Sequence, residues 1–309
     1  LPWLYNISDS QLITNDGTTS YWTCSFLTAS DDHQYVVLGH TMWMGGIAQA
    51  RASILDVTDP SYYKTLLYTN EDATVSSYNG HIDASIGTLG IRALSADNVT
   101  RIHSYSTFEI EYSLILTASP VLFNGGLGEF TFGNKTCGEW SFPAGRTEGT
   151  FVARGKELTV DPERSFTWYD RQWGGSAFLG NYTWFQLHVP GTDIKASIWA
   201  IDDNTNQKNI RIATFRFEDG SHRVLPFEFS ESTESQYHSK ATVNTYATKW
   251  DLEFPGQGRI SVTSLRDDQE TYNTSSNATP AYEGFSEFDF NLFGVRSQGY
   301  GLTEVVFFG

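Results

Sequence analysis

Apolar and polar residues alternate with a period of two over much of this chain. The clearest run is Ser104 to Thr117, where Tyr105, Thr107, Glu109, Glu111 and Ser113 alternate with Ser106, Phe108, Ile110, Tyr112 and Leu114. A strand sends successive side chains to opposite faces, so the pattern predicts a half-buried strand with one apolar and one polar face. Tyr21 to Thr28, Tyr35 to Trp43, Asn209 to Glu218, Ala241 to Phe254 and Tyr300 to Phe308 read the same way. Turn-forming clusters separate them: Ser30-Asp31-Asp32, Asn79-Gly80, Asn124-Gly125-Gly126, Pro190-Gly191, Asp202-Asp203-Asn204, Asp219-Gly220 and Pro255-Gly256. Long helical periodicity is missing. The expected class is all-β, with antiparallel strands arranged as barrels or sandwiches.

Length changes the picture by suggesting two domains, since 309 residues can bury two ordinary cores. The Gly-rich, irregular stretch from Gly133 to Gly155 predicts the boundary, with domains 1–155 and 156–309. Charge narrows the partners. With 36 acidic against 20 basic residues the net charge is −16, which repels nucleic acid and anionic membrane surfaces. No apolar run reaches the roughly 18 residues of a membrane span, and Leu1 reads as the start of a mature or trimmed form.

Asn-X-Ser/Thr sequons at Asn6, Asn98, Asn134, Asn181, Asn273 and Asn277 predict a secreted or secretory-lumen glycoprotein. In that setting Cys24 and Cys137 are expected to form one disulfide across the N-terminal half; two buried thiols is the other reading. A loop of roughly 100 residues would contribute about 4 to 5 kcal/mol in the chain-entropy model.

The chemistry concentrates in Trp168-Tyr169-Asp170-Arg171-Gln172-Trp173-Gly174, one acid among aromatic rings. Indole and phenol walls take water from a carboxylate and favour its protonated form, whereas a cation within reach favours the anion. In a strand, Asp170 points with Trp168 and Gln172, while Tyr169, Arg171 and Trp173 line the other side. The same stretch would equally serve as a Trp-rich strand closing a barrel. Metal ligation has little support: the seven histidines make no close pair, and neither cysteine has another nearby. His81-Ile82-Asp83 could give two ligands on one strand face, but it reads first as a structural or surface feature. Gly-X-Ser-X-Gly and phosphate-cradling Gly-Lys-Ser are missing, so serine hydrolase and nucleotide chemistry fall away. The reading is cofactor-free chemistry, or none. The aromatic inventory, including Trp22, Trp43, Trp140, Trp168, Trp173, Trp184 and Trp199, suits an apolar ligand as well as a core. His40 and Trp43, three apart on a strand, face opposite sides.

Ser20-Tyr21-Trp22 leads into Phe26-Leu27 and the strand Tyr35 to Trp43. The central cluster is followed by Tyr182-Thr183-Trp184-Phe185-Gln186-Leu187, and Tyr282-Glu283-Gly284 precedes Gly299-Tyr300-Gly301-Leu302-Thr303-Glu304. These blocks, spread over nearly the whole chain, resemble the AttH/CrtC superfamily of carotenoid hydratase-like proteins, in its fungal kievitone hydratase-like and Diels-Alderase-like branch. The resemblance implies two lipocalin-like antiparallel β-barrels packed side by side, and a cofactor-independent enzyme of fungal secondary metabolism with an apolar substrate bound between them. Asp170 matches the family's hydratase acid by motif position. The flanking histidine and tyrosine of the bacterial hydratases have no evident match here.

The leading expectation is a Diels-Alder or hetero-Diels-Alder cyclisation of a polyene, terpenoid or quinone-methide substrate. Asp170, Tyr169 or Gln172 would polarise a carbonyl or help expel water, with Trp22, His40, Trp43, Trp168, Trp173, Trp184 and Gln186 lining the site. The alternative is hydration of an isolated C=C bond, Asp170 being the acid and Trp168, Trp173 or Trp184 shielding the cation. A non-catalytic carrier of hydrophobic molecules is the reading from another class.

Overall fold

The computed structural model describes residues 6–13, 17–70, 73–78, 81–274 and 278–308, nearly all of them in antiparallel strands and their turns. Contacts divide the chain into two units, the first mainly Leu1–Val121 with Thr136–Gly175, the second mainly Ser176–Thr274 with Leu122–Lys135 and Thr279–Gly309. Each unit is a curled antiparallel sheet of the lipocalin type.

In the first unit five strands carry the argument: β1 (Thr18–Thr28), β2 (Gln34–Met44), β3 (Ile47–Asp56), β4 (Lys135–Ala153) and β5 (Phe166–Gly174). They lie in the order β3-β2-β1-β5-β4. The first strand of the unit is thus hydrogen-bonded to its last, with Trp22 opposite Asp170 and Thr18 opposite Gly174. That pairing, together with that of Lys156–Thr159 on the end of β4, keeps residues 156–175 in the first unit, so the division falls after Gly175 and not near 155. The second unit repeats the plan with β6 (Gly180–His188), β7 (Lys195–Asp203), β8 (Lys208–Arg216), β9 (Ala281–Leu292) and β10 (Val295–Phe308), ordered β8-β7-β6-β10-β9.

Strand β1 is buried along its whole length, so both of its faces are covered. On one face Leu27 joins Tyr35, Val37, Ala48, Ala50, Ala52 and Ile54 in an apolar core with Tyr112, Leu114 and Phe151. Each fully buried aliphatic or aromatic side chain there contributes about 1.5 to 3 kcal/mol. At Gly39 a Cβ would lie 2.0 Å from the Tyr112 hydroxyl, so any larger residue there would have to displace that side chain. That hydroxyl belongs to a chain in which Ser104 Oγ is 3.3 Å from Tyr112 and 2.9 Å from Thr23 Oγ1. The opposite face of the same strands carries Ser20, Trp22 and Cys24 of β1, His40 of β2, and Gln49 and Arg51 of β3.

The predicted run Ser104 to Thr117 keeps its alternation but not its continuity. The chain reverses at Glu109, whose φ is +58°, and makes a hairpin of Arg101–Phe108 with Ile110–Thr117. A pattern with period two survives such a tight reversal, which hides it from the sequence. Ala241 to Phe254 is likewise interrupted, becoming strands Thr245–Ala247 and Lys249–Phe254, whereas Tyr300 to Phe308 is the end of the longer β10.

The expected disulfide is not formed; both cysteines are buried thiols. Cys24 is opposite Trp168 and Cys137 opposite Gly174, six positions apart along β5. At about 3.3 Å per residue that is roughly 20 Å, far beyond the roughly 7 Å limit between bridged Cα atoms. Burial, with Glu139 adding to it, pushes the Cys137 thiol well above its ordinary pKa, against the pull of Arg171. Of the sequons, Asn6 and Asn134 are exposed, and Asn181 and Asn273 are half-buried. Asn277 lies outside the described residues. Asn98 is committed to the interior, 6% exposed, its Oδ1 accepting from the Ile82 N–H at 2.9 Å.

Candidate active site

The face of the first unit turned away from its apolar core holds a row of directly opposed residues: Arg51, His40, Trp22, Asp170 and Ser141, one from each of β3, β2, β1, β5 and β4. Opposed residues in antiparallel strands share a face, with Cβ atoms about 4.5 to 5.5 Å apart. All five are buried. A neighbouring row contains Ser20, Gln172 and Glu139.

Asp170 is 6% exposed, and its Oδ1 accepts from the Trp168 indole N–H at 2.6 Å. The two residues are two apart on β5, so the strand itself sets the contact. Trp22 stands opposite Asp170 across β1 and opposite His40 across β2. His40 is fixed in one form: Arg51 Nε donates to its Nδ1 at 2.8 Å, so the ring proton of neutral His40 is on Nε2 and faces Ser20 Oγ at 2.8 Å. Burial and then the Arg51 charge hold His40 well below the ordinary histidine pKa. Gln172 Nε2 donates to Glu139 Oε2 at 3.2 Å.

The expected face division of β5 holds. Trp168, Asp170 and Gln172 are together with Trp22 and His40. Tyr169, Arg171, Trp173 and Trp43 belong to the other face. The Tyr169 hydroxyl donates to Gln11 Oε1 at 2.7 Å, and burial raises its pKa against the opposing pull of Arg171. Arg171 lies 4.3 Å over the Tyr21 ring and 5.3 Å from Trp173, and donates to the carbonyls of Ser20 and Ile13. Trp43 is half-buried and donates to the Ala73 carbonyl at 2.8 Å. Its partner across β1 is Thr19, one residue out of phase with the acid row.

Trp184 and Gln186 belong to the second unit, on a buried face of β6. Trp184 Nε1 donates to Ser197 Oγ at 2.9 Å, and Gln186 Nε2 is 2.8 Å from His188 Nε2. Beside them the Tyr182 hydroxyl donates to Glu304 Oε1 at 3.0 Å.

Ser20, Arg51, Glu139 and Ser141 were not singled out by sequence reasoning. A signal exists: Gln49, Arg51 and Ser53 alternate with alanines in β3, and Glu139 and Ser141 alternate with Gly138, Trp140 and Phe142 in β4. Polar residues at every second place in a strand buried on both sides give it one buried polar face, whose groups need partners.

Fold and site together define an all-β protein of two lipocalin-like units with an acid seated among indoles on a buried polar face. The chain belongs to the AttH-like family, whose pattern matches residues 42–305. It is 37% identical to kievitone hydratase of Fusarium solani subsp. phaseoli over 99% of this chain and 87% of that protein. It is 31% identical to the dehydratase asqC of Emericella nidulans over 99% of this chain and 90% of the relative. The crystal structure of kievitone hydratase from Nectria haematococca superposes with a TM-score of 0.91 at 35% identity, covering 99% of this chain and 93% of that one. CghA, at a TM-score of 0.62 and 11% identity over 95% of this chain and 89% of its own, shares the fold alone. Among the described residues no helix is long and apolar enough to cross a membrane.

Proposed function

We propose that this protein is a hydro-lyase that adds water to, or removes it from, an isolated C=C bond of an apolar small molecule, with Asp170 as the acid. The observation that carries the reading is the Asp170 carboxyl, buried opposite Trp22 and held by the Trp168 N–H. In the hydration direction the acid proton passes to an alkene carbon. Cationic character on the neighbouring carbon is stabilised by indole faces, water attacks there, and the proton it sheds returns to the carboxylate. Dehydration is the same path reversed. Support also comes from the relatives named as a hydratase and a dehydratase. Cycloaddition, the leading sequence expectation, rests on a likeness that reaches only the fold.

The test is incubation of the purified protein in ¹⁸O-water with kievitone, the compound in the first relative's name, and with other apolar alkenes. A product heavier by one labelled water supports the reading, as does loss of water from a supplied alcohol. An unlabelled isomer would instead establish cyclisation. A compound that stays bound and unchanged would make the protein a carrier.

A further inference from the structure

Ser141 is fully buried, and its Oγ has no hydrogen-bond partner among the described residues. Buried hydroxyls left in that condition are rare and call for an explanation. Ser141 is directly opposite Asp170, on the same face, so its oxygen stands within reach of a group bound to the acid without bonding to it. The local backbone is irregular for an identifiable reason. Pro143, two residues on, has no N–H to give to the ladder, and the register between β4 and β5 shifts between Phe142 and Gly145. Such a bulge re-aims the side chains next to it, and Ser141 and Phe142 are the last regular pairs before it.

We infer that Ser141 Oγ and the Asp170 carboxyl form a seat for one hydroxyl group, either a water molecule or an alcohol of the bound compound. This rests on the hydro-lyase reading for its chemistry. In that reaction the seated oxygen is the water added or expelled. Ser141 accepts a hydrogen bond from it, turning a lone pair toward the cationic carbon, while Asp170 gives its proton to the alkene and takes back the one released by the oxonium. Ser141 is neither acid nor base. It binds the second substrate, and Ser141→Ala removes a single oxygen from a site already enclosed.

Two measurements test this. The first is a pair of crystal structures, native and Ser141→Ala. An ordered oxygen within hydrogen-bond distance of both Ser141 Oγ and Asp170 is expected in the native protein. It should be lost in the variant, with the Trp168–Asp170 bond kept. A Ser141 hydroxyl bonded to a protein group, or no bridging oxygen, overturns the seat. This arm decides the matter whether or not the reaction is correctly identified; native protein that leaves every alkene unchanged would sink the hydro-lyase reading alone. The second is turnover in D₂O. If Asp170 protonates normally but water is poorly delivered, Ser141→Ala should raise deuterium wash-in to recovered alkene, relative to hydrated product, by roughly tenfold. Asp170→Asn should lose both. An unchanged ratio in Ser141→Ala overturns the water-positioning role.

Discussion

The two units build the same row twice and finish it differently. In the first, Arg51, His40, Trp22, Asp170 and Ser141 face one another across five strands; in the second, Ile212, Trp199, Trp184, Glu304 and Glu283 occupy the corresponding strands. Both put a tryptophan of the first strand against a carboxylate of the last. Both hold that carboxylate with an aromatic donor, Trp168 N–H for Asp170 and Tyr182 O–H for Glu304. The flanks differ. Asp170 has a serine on one side and, past Trp22, a neutral histidine tied to an arginine. Glu304 has a second carboxylate on one side and, past Trp184, the indole of Trp199, 5.8 Å from Trp184 and 5.2 Å from Tyr182. The lesson is that closing a barrel with its first and last strands supplies an acid beside an indole, and the neighbours decide its use.

The most direct way to break that comparison is to neutralise each acid. Asp170→Asn is expected to lower turnover at least about 100-fold, the scale of general acid catalysis. Glu304→Gln should lose less, and equal losses in steady-state rates would mean that both rows serve the chemistry. Truncating the paired tryptophans comes next. Trp22→Ala and Trp184→Ala should each cost about 3 to 5 kcal/mol in urea unfolding, since both are buried large side chains. A marked asymmetry would show that one row is packed more loosely than its burial implies.

Glycines sharpen the comparison further. At Gly301 of β10 a Cβ would meet the Gln186 carbonyl oxygen at 1.7 Å, a backbone atom, while at Gly39 it meets the end of a tyrosine. Gly301→Ala should therefore lower the melting temperature more than Gly39→Ala, whose cost should be about 1 to 3 kcal/mol. The smallest effect is on pH dependence. His40 and His188 are both held well below 6.5, by burial first and then by Arg51 and Lys195 respectively. The unfolded chain takes up these protons and the folded one does not, so stability should fall as pH drops below about 6.5. His40→Gln should flatten that slope in urea midpoints compared between pH 7 and 5, and an unchanged slope would remove His40 from the cause.

What was legible in the sequence follows from the two-residue period. Alternation separates Asp170, Trp168 and Gln172 from Tyr169, Arg171 and Trp173 because it depends only on strand geometry. Pairing is non-local, so Arg51, Ser20 and Ser141 could not be assigned to the acid without the register of β1 between β2 and β5. The same gap produced the disulfide expectation: even cysteine count and sequons speak of compartment, whereas six positions along β5 decide whether sulfurs can meet. The reversal at Glu109 was hidden because it needs no glycine or proline; a glutamate adopts the left-handed φ.

Pairing of the first strand with the last also sets a timetable. Trp22 and Asp170 are 148 positions apart (170 − 22) yet sit opposite each other. A chain emerging from a ribosome therefore carries β1 with one edge unpaired until residue 174 has been made. Contacts of such long range are slow to form and must meet the entropy of closing the loop. The acid and its indole wall are thus among the last parts of the first unit to come together, and a chain cut short before β5 keeps Trp22, His40, Arg51 and Ser141 but lacks Trp168, Asp170 and Gln172.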